Sequence, residues 1–423
     1  MAFSFGRSNL QNLARMPVAG AVFLVSMITP RRANLWVFGR KGMFGGNSRY
    51  LMEYVRERRP DIDCVWLAHS DKELEEARAA GVRAERASSW RGWALSLRAK
   101  VGVVSLGFGD VNRAATGGMF VVQLWHGLPL KKLGLDSPVT TTVDAGIFRR
   151  PLEYLIQKIY RFTQSRYGLF TAPSEIASIR YQSAFALRQG CVALTGEPKT
   201  DIILGPNDEG PCAQWQTAMR ERFGIAPGTT IIMYAPTWRE EGSPPLLPNN
   251  DLLAKLEKLL AKNGAHLIIR GHYANEENGI SNCLRSNISI MSSDDFPDVN
   301  YLLSGISILI SDYSGIMMDF ALLERPIIFF APDLESYEKT RGLYESYETF
   351  TGGAWATNWE SLISEIEACL TGEPRFAANA ARLSSRYNGH IDLDNRKRVY
   401  EEIIRRLRLS APSHQDSANR MSH

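Results

Sequence analysis

Residues 306–333 read "ISILISDYSGIMMDFALLERPIIFFAPD". Ile306–Ser311 and Pro326–Ala331 are short apolar runs of strand length, and a helix is expected near 315–324 between them. A strand, a crossover helix and a second strand make the unit of a parallel α/β sheet. The same alternation continues outward. "TIIMYA" (230–235) and "AHLIIR" (265–270) read as further strands, with helices near 251–262 and 359–371. An earlier stretch repeats the pattern with "NLWVFG" (34–39), "CVWLA" (64–68), "VGVVSL" (101–106) and "FVVQLW" (120–125). Asn47 or Ser48 is expected to cap the helix after the first of these, with Leu51, Tyr54 and Val55 on one face.

A helical region over 151–187 separates the two stretches, followed by the Gly-, Pro- and Asp-rich "LTGEPKTDIILGPNDEGP". This places a boundary near residue 200, which suits a chain of 423 residues, too long for one core. The expected architecture is α/β, with one domain over 34–200 and another over 201–410. The second ends in the basic amphipathic helix "RKRVYEEIIRRLRL" (396–409), and a polar tail, 411–423, is expected to be disordered. Domains of this kind take ligand in the cleft at the carboxyl ends of their strands.

A net charge of +4 suits an anionic ligand or membrane surface and does not suggest a nucleic-acid binder. Cys64, Cys191, Cys212, Cys283 and Cys369 are scattered with no CxxC pair, which argues for a reducing compartment and against structural zinc. Within the N-terminal segment 1–33, "MPVAGAVFLVSMITP" (16–30) is uncharged but shorter than the ~20 residues that cross a bilayer. Two readings are open for it: a segment lying on an anionic membrane face, or a helix packed on the first domain.

Polar side chains gather at the carboxyl ends of the expected strands. His126 follows 120–125, Thr237, Trp238 and Arg239 follow 230–235, and Arg270 and His272 follow 265–269. Asp312, Tyr313 and Ser314 follow 306–310, and Asp333 follows 327–330. Ser314 is positioned to cap the helix that Gly315 opens, and such a helix start offers N–H groups and a positive dipole end to phosphate. Arg270 offers a donor fork matched to phosphate oxygens, and His272 a second donor or an acid. Asp319, five residues past Ser314, reads either as a ligand contact or as an ordinary first-turn acid. The glycine-rich "FGRKGMFGGN" (38–47) could cradle an acceptor phosphate or form a plain βα loop. The acid pairs "DID" (61–63) and "DLD" (392–394) do not follow strands, and no Walker or GxSxG motif occurs.

Taken in order, "WVFGRKGMFGGNSRYLMEY", "WHGLPLKKLG", "TAPSE", "GEPKTD", "YAPTWRE", "IIRGHY" and "LISDYSGIMMDFALLERPIIFFAPDLESYEKTRGLYESYE" resemble the CDP-glycerol glycerophosphotransferases of teichoic-acid synthesis, over roughly residues 34–405. The resemblance implies a GT-B fold, two Rossmann-like domains about a central cleft. It implies transfer of glycerol or ribitol phosphate from CDP-glycerol or CDP-ribitol to a lipid-linked saccharide or polyol-phosphate acceptor, releasing CMP, peripherally at the cytoplasmic membrane face. His126 and His272 match the family's catalytic histidines. Thr237, Trp238, Arg270, Asp312, Tyr313, Ser314, Gly315 and Asp319 are expected around the donor CDP-alditol, with no metal and no cofactor. The chain departs from the family at Tyr273, Gly315 and Lys199, where Pro, Ser and Arg are usual. The alternatives are a GT-B glycosyltransferase using a nucleotide-sugar and a non-catalytic membrane-associated scaffold.

Overall fold

The computed structural model describes residues 16–137, 140–142, 149–206, 208–237, 247–270 and 284–409. Seven strands form the first sheet: β1 (Arg32–Gly39), β2 (Asp63–Ala68), β3 (Ala84–Arg86), β4 (Ala99–Val104), β5 (Phe120–Gln123), β6 (Tyr167–Ala172) and β7 (Val192–Leu194). Five form the second: β8 (Thr230–Tyr234), β9 (Ala265–Arg270), β10 (Ile288–Met291), β11 (Ile308–Ser311) and β12 (Ile327–Phe329). The orders are β3-β2-β1-β4-β5-β6-β7 and β10-β9-β8-β11-β12, with every pairing parallel. Both are Rossmann orders. In each, the strand sequence reverses beside the first strand, between β1 and β4 and between β8 and β11, where ligands bind in open α/β sheets.

The central strands are buried on both faces, as Trp36, Val37 and Phe38 in β1 and Ile231, Ile232 and Met233 in β8 illustrate. Three differences from the sequence expectation matter. The region 151–187 is not wholly helical: Arg149–Gln164 and Glu175–Phe185 are helices, but "YGLFTA" between them is β6. The C-terminal helix Asn395–Leu409 packs on the first sheet, not the second, with Val399 and Ile403 buried among Trp36, Phe38 and Val55. The helix Gly46–Arg58 is not capped by Asn47 or Ser48; both side chains are buried inside its first turn.

The two sheets are tied directly. Lys132 N donates to Gly342 O at 3.1 Å and Tyr344 N to Leu130 O at 2.9 Å, while Arg180 and Glu345 form a buried ion pair at 2.7 Å. These bonds bring the loop after β5 against the segment after β12.

Candidate active site

A cavity of about 560 Å³ lies between the carboxyl ends of the two sheets. Arg40, Asn47, His126 and Lys131 line it from the first side, and Thr237, Arg270, Tyr313, Ser314 and Gly315 from the second. Its size is that of ordinary ligand clefts, about 300–1,000 Å³.

His126 is set by a strained corner. Trp125, two residues after β5, has φ 56°, a left-handed conformation that costs a non-glycine residue about 1–3 kcal/mol. The surroundings enforce it. Trp125 N donates to Gln123 Oε1 at 3.0 Å, its carbonyl accepts from Asn47 Nδ2 at 3.0 Å, and its indole packs on Phe170, Tyr181 and Phe185. The turn continues through Gly127 at φ 142°. The His126 ring stacks on the Trp125 indole, centroids 4.4 Å apart, and is exposed to the cleft. The confinement of the cleft, with the charges of Arg40, Lys199 and Lys131, lowers its pKa below the ordinary histidine value. His126 is therefore neutral at physiological pH and able to accept a proton.

On the second side, the expected donor residues separate into two groups. Asp312 is fully buried and does not line the cleft. Its carboxylate accepts from Thr237 N at 2.8 Å, Thr237 Oγ1 at 2.6 Å and Tyr313 N at 2.5 Å, fastening the loop after β8 to the loop after β11. Tyr313 is likewise buried; its hydroxyl donates to Asp333 at 3.1 Å and its ring stacks on Tyr337 at 3.9 Å. Ser314, Gly315 and Arg270 face the cavity, and Thr237 and Tyr313 also contribute to its lining. The helix after them spans Ile316–Ala321 with Gly315 at its N-cap and no side-chain cap; Ser314 Oγ reaches Ile316 N only at 3.5 Å. A Cβ at position 315 would lie 3.3 Å from Leu128 O, so glycine there lets the first domain's backbone approach closely. Arg270 Nη2 donates to Phe296 O at 2.9 Å, and burial draws its pKa down to about 10, leaving it charged at neutral pH.

Asp319 lines the cavity, and its carboxylate is engaged by the protein itself. Its carboxylate lies 2.7 Å from Lys199 Nζ, which is also 3.3 Å from Glu197, and the three form a buried trio joining the sheets. Burial opposes the Lys199 charge, but Asp319 and Glu197 outweigh it and hold its pKa above the ordinary value. Asn47 binds the trio to the His126 corner, donating to Glu197 at 3.3 Å and accepting from Lys199 N at 2.9 Å. The sequence contains "GEPKTD" in plain view, but nothing in it signals that Lys199 would meet an acid 120 positions later. Sequence reasoning also misses Asp298. It accepts from Gly46 N at 2.9 Å and Tyr50 OH at 2.5 Å, occupying the helix start that the glycine-rich loop otherwise offers to phosphate.

Trp238 and His272 lie outside the described residues. The rejected acid pairs are engaged elsewhere: Asp61 with Arg59, Asp63 with Arg83 and Asp392 with Arg398.

A sequence profile of the family described as CDP-glycerol:poly(glycerophosphate) glycerophosphotransferase matches residues 21–405. The chain belongs to this family. Among the relatives of the chain, the teichoic acid poly(glycerol phosphate) polymerase of Bacillus spizizenii is 26% identical over 416 residues, covering 90% of this chain and 95% of that protein. The teichoic acid glycerol-phosphate transferase of Staphylococcus aureus is 27% identical over 252 residues, 58% of this chain and 61% of that protein. The chain thus matches less than two thirds of the length of the latter. The solved structure of the wall teichoic acid polymerase TagF superposes with a TM-score of 0.74 at 21% identity, covering 94% of this chain and 96% of that one. The chain shares its fold: GT-B, two Rossmann-like domains about a cleft.

Proposed function

We propose that this chain transfers an alditol phosphate, with glycerol phosphate the first candidate, from a CDP-alditol to an acceptor hydroxyl, releasing CMP. The observation that carries this reading, beside family membership, is the placement of His126 in the cleft with Arg270 and Ser314 on the opposite wall. His126 takes the proton of the attacking hydroxyl as oxygen bonds to the β-phosphorus. The bond from that phosphorus to the bridging oxygen breaks, and CMP leaves with the electron pair. Arg270 and Ser314 hold the diphosphate and offset the charge of departing CMP, since phosphoryl transfer depends chiefly on positioning and electrostatics. Thr237, Asp312 and Tyr313 build the wall behind the donor, while Asp319 supports the first domain's corner through Lys199. His272 and Trp238 retain the roles the family resemblance gives them, a second catalytic histidine and a donor contact.

A donor screen tests the reading. With a lipid-linked or polyol-phosphate acceptor, CDP-glycerol or CDP-ribitol is expected to give CMP. UDP release from a sugar nucleotide would instead make the chain a glycosyltransferase, and absence of turnover with any donor would favour a scaffold.

The acceptor is expected at a membrane surface. Among the described residues no helix is long and apolar enough to cross a membrane. The helix Met16–Ile28 docks on the first domain through Ser26, whose hydroxyl accepts from Gly117 N at 2.8 Å, and through Arg31, which donates to Ser26 O at 2.7 Å and Ser96 O at 2.8 Å. Yet Leu24, Met27 and Ile28 remain exposed, Ile28 by 82%. Phe23 contacts Phe162 of the neighbouring helix, which exposes Tyr154, Leu155 and Phe162 beside Lys158 and Arg161. Apolar side chains rimmed by cations suit insertion at an anionic interface. In flotation with phosphatidylglycerol vesicles the protein should rise with the lipid. Ile28→Ser with Phe162→Ser should leave it at the bottom of the gradient, while turnover on a water-soluble acceptor persists.

A further inference from the structure

The place of the His126 ring is set by the peptide before it. Trp125 holds its left-handed φ of 56° between two side-chain amides. Its N–H donates to Gln123 Oε1 at 3.0 Å, and its carbonyl accepts from Asn47 Nδ2 at 3.0 Å. Gln123 belongs to β5 itself and moves with the strand that carries the bend. Asn47 comes from a separate element, the first turn of the helix Gly46–Arg58. That helix follows β1, where the order of the first sheet reverses.

The amide of Asn47 is committed to the protein. Nδ2 carries two N–H groups; one goes to Trp125 O and the other to Glu197 Oε1 at 3.3 Å. Oδ1 accepts from Lys199 N at 2.9 Å. Asn47 lines the cavity, but it is 3% exposed and keeps no N–H for a ligand. Lys199 carries the connection across the cleft, with Nζ 2.7 Å from Asp319 in the helix Ile316–Ala321. A line of polar contacts therefore runs from the helix that starts beside Ser314 and Gly315, through Lys199 and Asn47, to the peptide that aims His126. A carboxylate at position 47 could accept from Lys199 N, but it would offer no donor to the Trp125 carbonyl and would stand beside Glu197.

We propose that Asn47 is a positioning residue for the transfer reaction: its amide fixes the peptide between Trp125 and His126, so that the imidazole stands at a set place relative to Ser314 and Gly315 on the opposite wall. This rests on the reaction proposed above, with His126 as the base. Without the amide, the strained bend at Trp125 loses one of its two side-chain restraints and the ring is no longer held to one place. A displacement of about 1 Å at a reacting group costs about 10²-fold in rate. The cost falls on the chemical step, because Arg270 is held from the second side, by the Phe296 carbonyl.

The experiment is a double-mutant cycle read by single-turnover CMP release. It uses whichever of CDP-glycerol and CDP-ribitol the wild-type protein turns over, with a lipid-linked or polyol-phosphate acceptor, and measures donor Kd by calorimetry. Asn47→Ala should lower the rate by about 10–10²-fold, with the donor Kd changed less than about twofold. In the His126→Ala background the same change should cost less than about twofold, since a residue that acts through the imidazole has nothing left to aim. A side chain that only supports the fold would cost the same factor in both backgrounds. Asn47→Asp, nearly identical in shape, should reproduce the loss, and it carries the cycle if the alanine variant does not fold. If His126→Ala leaves no measurable rate, the split between rate and donor Kd in the single variants decides. Equal losses with and without His126, a donor Kd raised in step with the lost rate, or an Asn47→Ala rate within about twofold of wild type would overturn the assignment of Asn47 alone. No CMP release by the wild-type protein from either donor would overturn the transfer reaction and the assignment with it.

Discussion

Replacing His126 with alanine should lower turnover by about 10²–10⁴-fold, the usual contribution of a positioned general base. Binding of the CDP-alditol, measured by calorimetry, should stay near that of the wild-type protein, because the donor groups lie on the other wall. Turnover within a few-fold of wild type would sink the base assignment. The pH dependence carries a second, independent signature. The base acts in its neutral form, so activity falls as pH drops through its pKa. That pKa is held below the ordinary value first by desolvation and then by Arg40, Lys199 and Lys131. A bound diphosphate opposes those cations and raises the pKa. The acidic limb of kcat, which reports the bound complex, should therefore lie at higher pH than the limb of kcat/KM, which reports the free protein.

Replacing Lys199 with methionine should destabilise the fold by about 3–5 kcal/mol, the range for removing one partner of a buried ion pair. The side chains of Lys199 and Glu197 are each 4% exposed and that of Asp319 is 14% exposed, so water cannot compensate the loss. Burial already raises the pKa of both acids, and Lys199 is what counters it. The variant should unfold at a clearly lower urea concentration. Adding Glu197→Gln and Asp319→Asn should restore much of the lost stability, since neutral amides need no countercharge. If the single variant unfolds at the wild-type urea concentration, the trio does not join the sheets as described.

Much of the architecture was legible in the sequence because it depends on local pattern. Apolar runs of strand length marked β1, β2, β4, β5, β8, β9, β11 and β12, and polar residues at their ends marked the cleft. β6 was hidden because its six residues sit between two helical patterns with no turn cluster to set them apart. The helix start at Gly46 was misread for a different reason. Asn47 and Ser48 have the composition of caps, but the group that meets the Gly46 amide is Asp298, 252 positions along the chain.

The active site divides in the same way. The sequence alone determined that His126, Arg270, Ser314 and Gly315 would stand at strand ends, since the residues after a strand emerge at the carboxyl edge of its sheet. Only the tertiary structure decided their surroundings. Folding buried Asp312 behind the cavity wall, bound Asp319 to Lys199 and left Arg40 in the cleft without a partner among the described residues. Burial and pairing are properties of groups brought together across long stretches of chain, and local sequence carries no record of those distances.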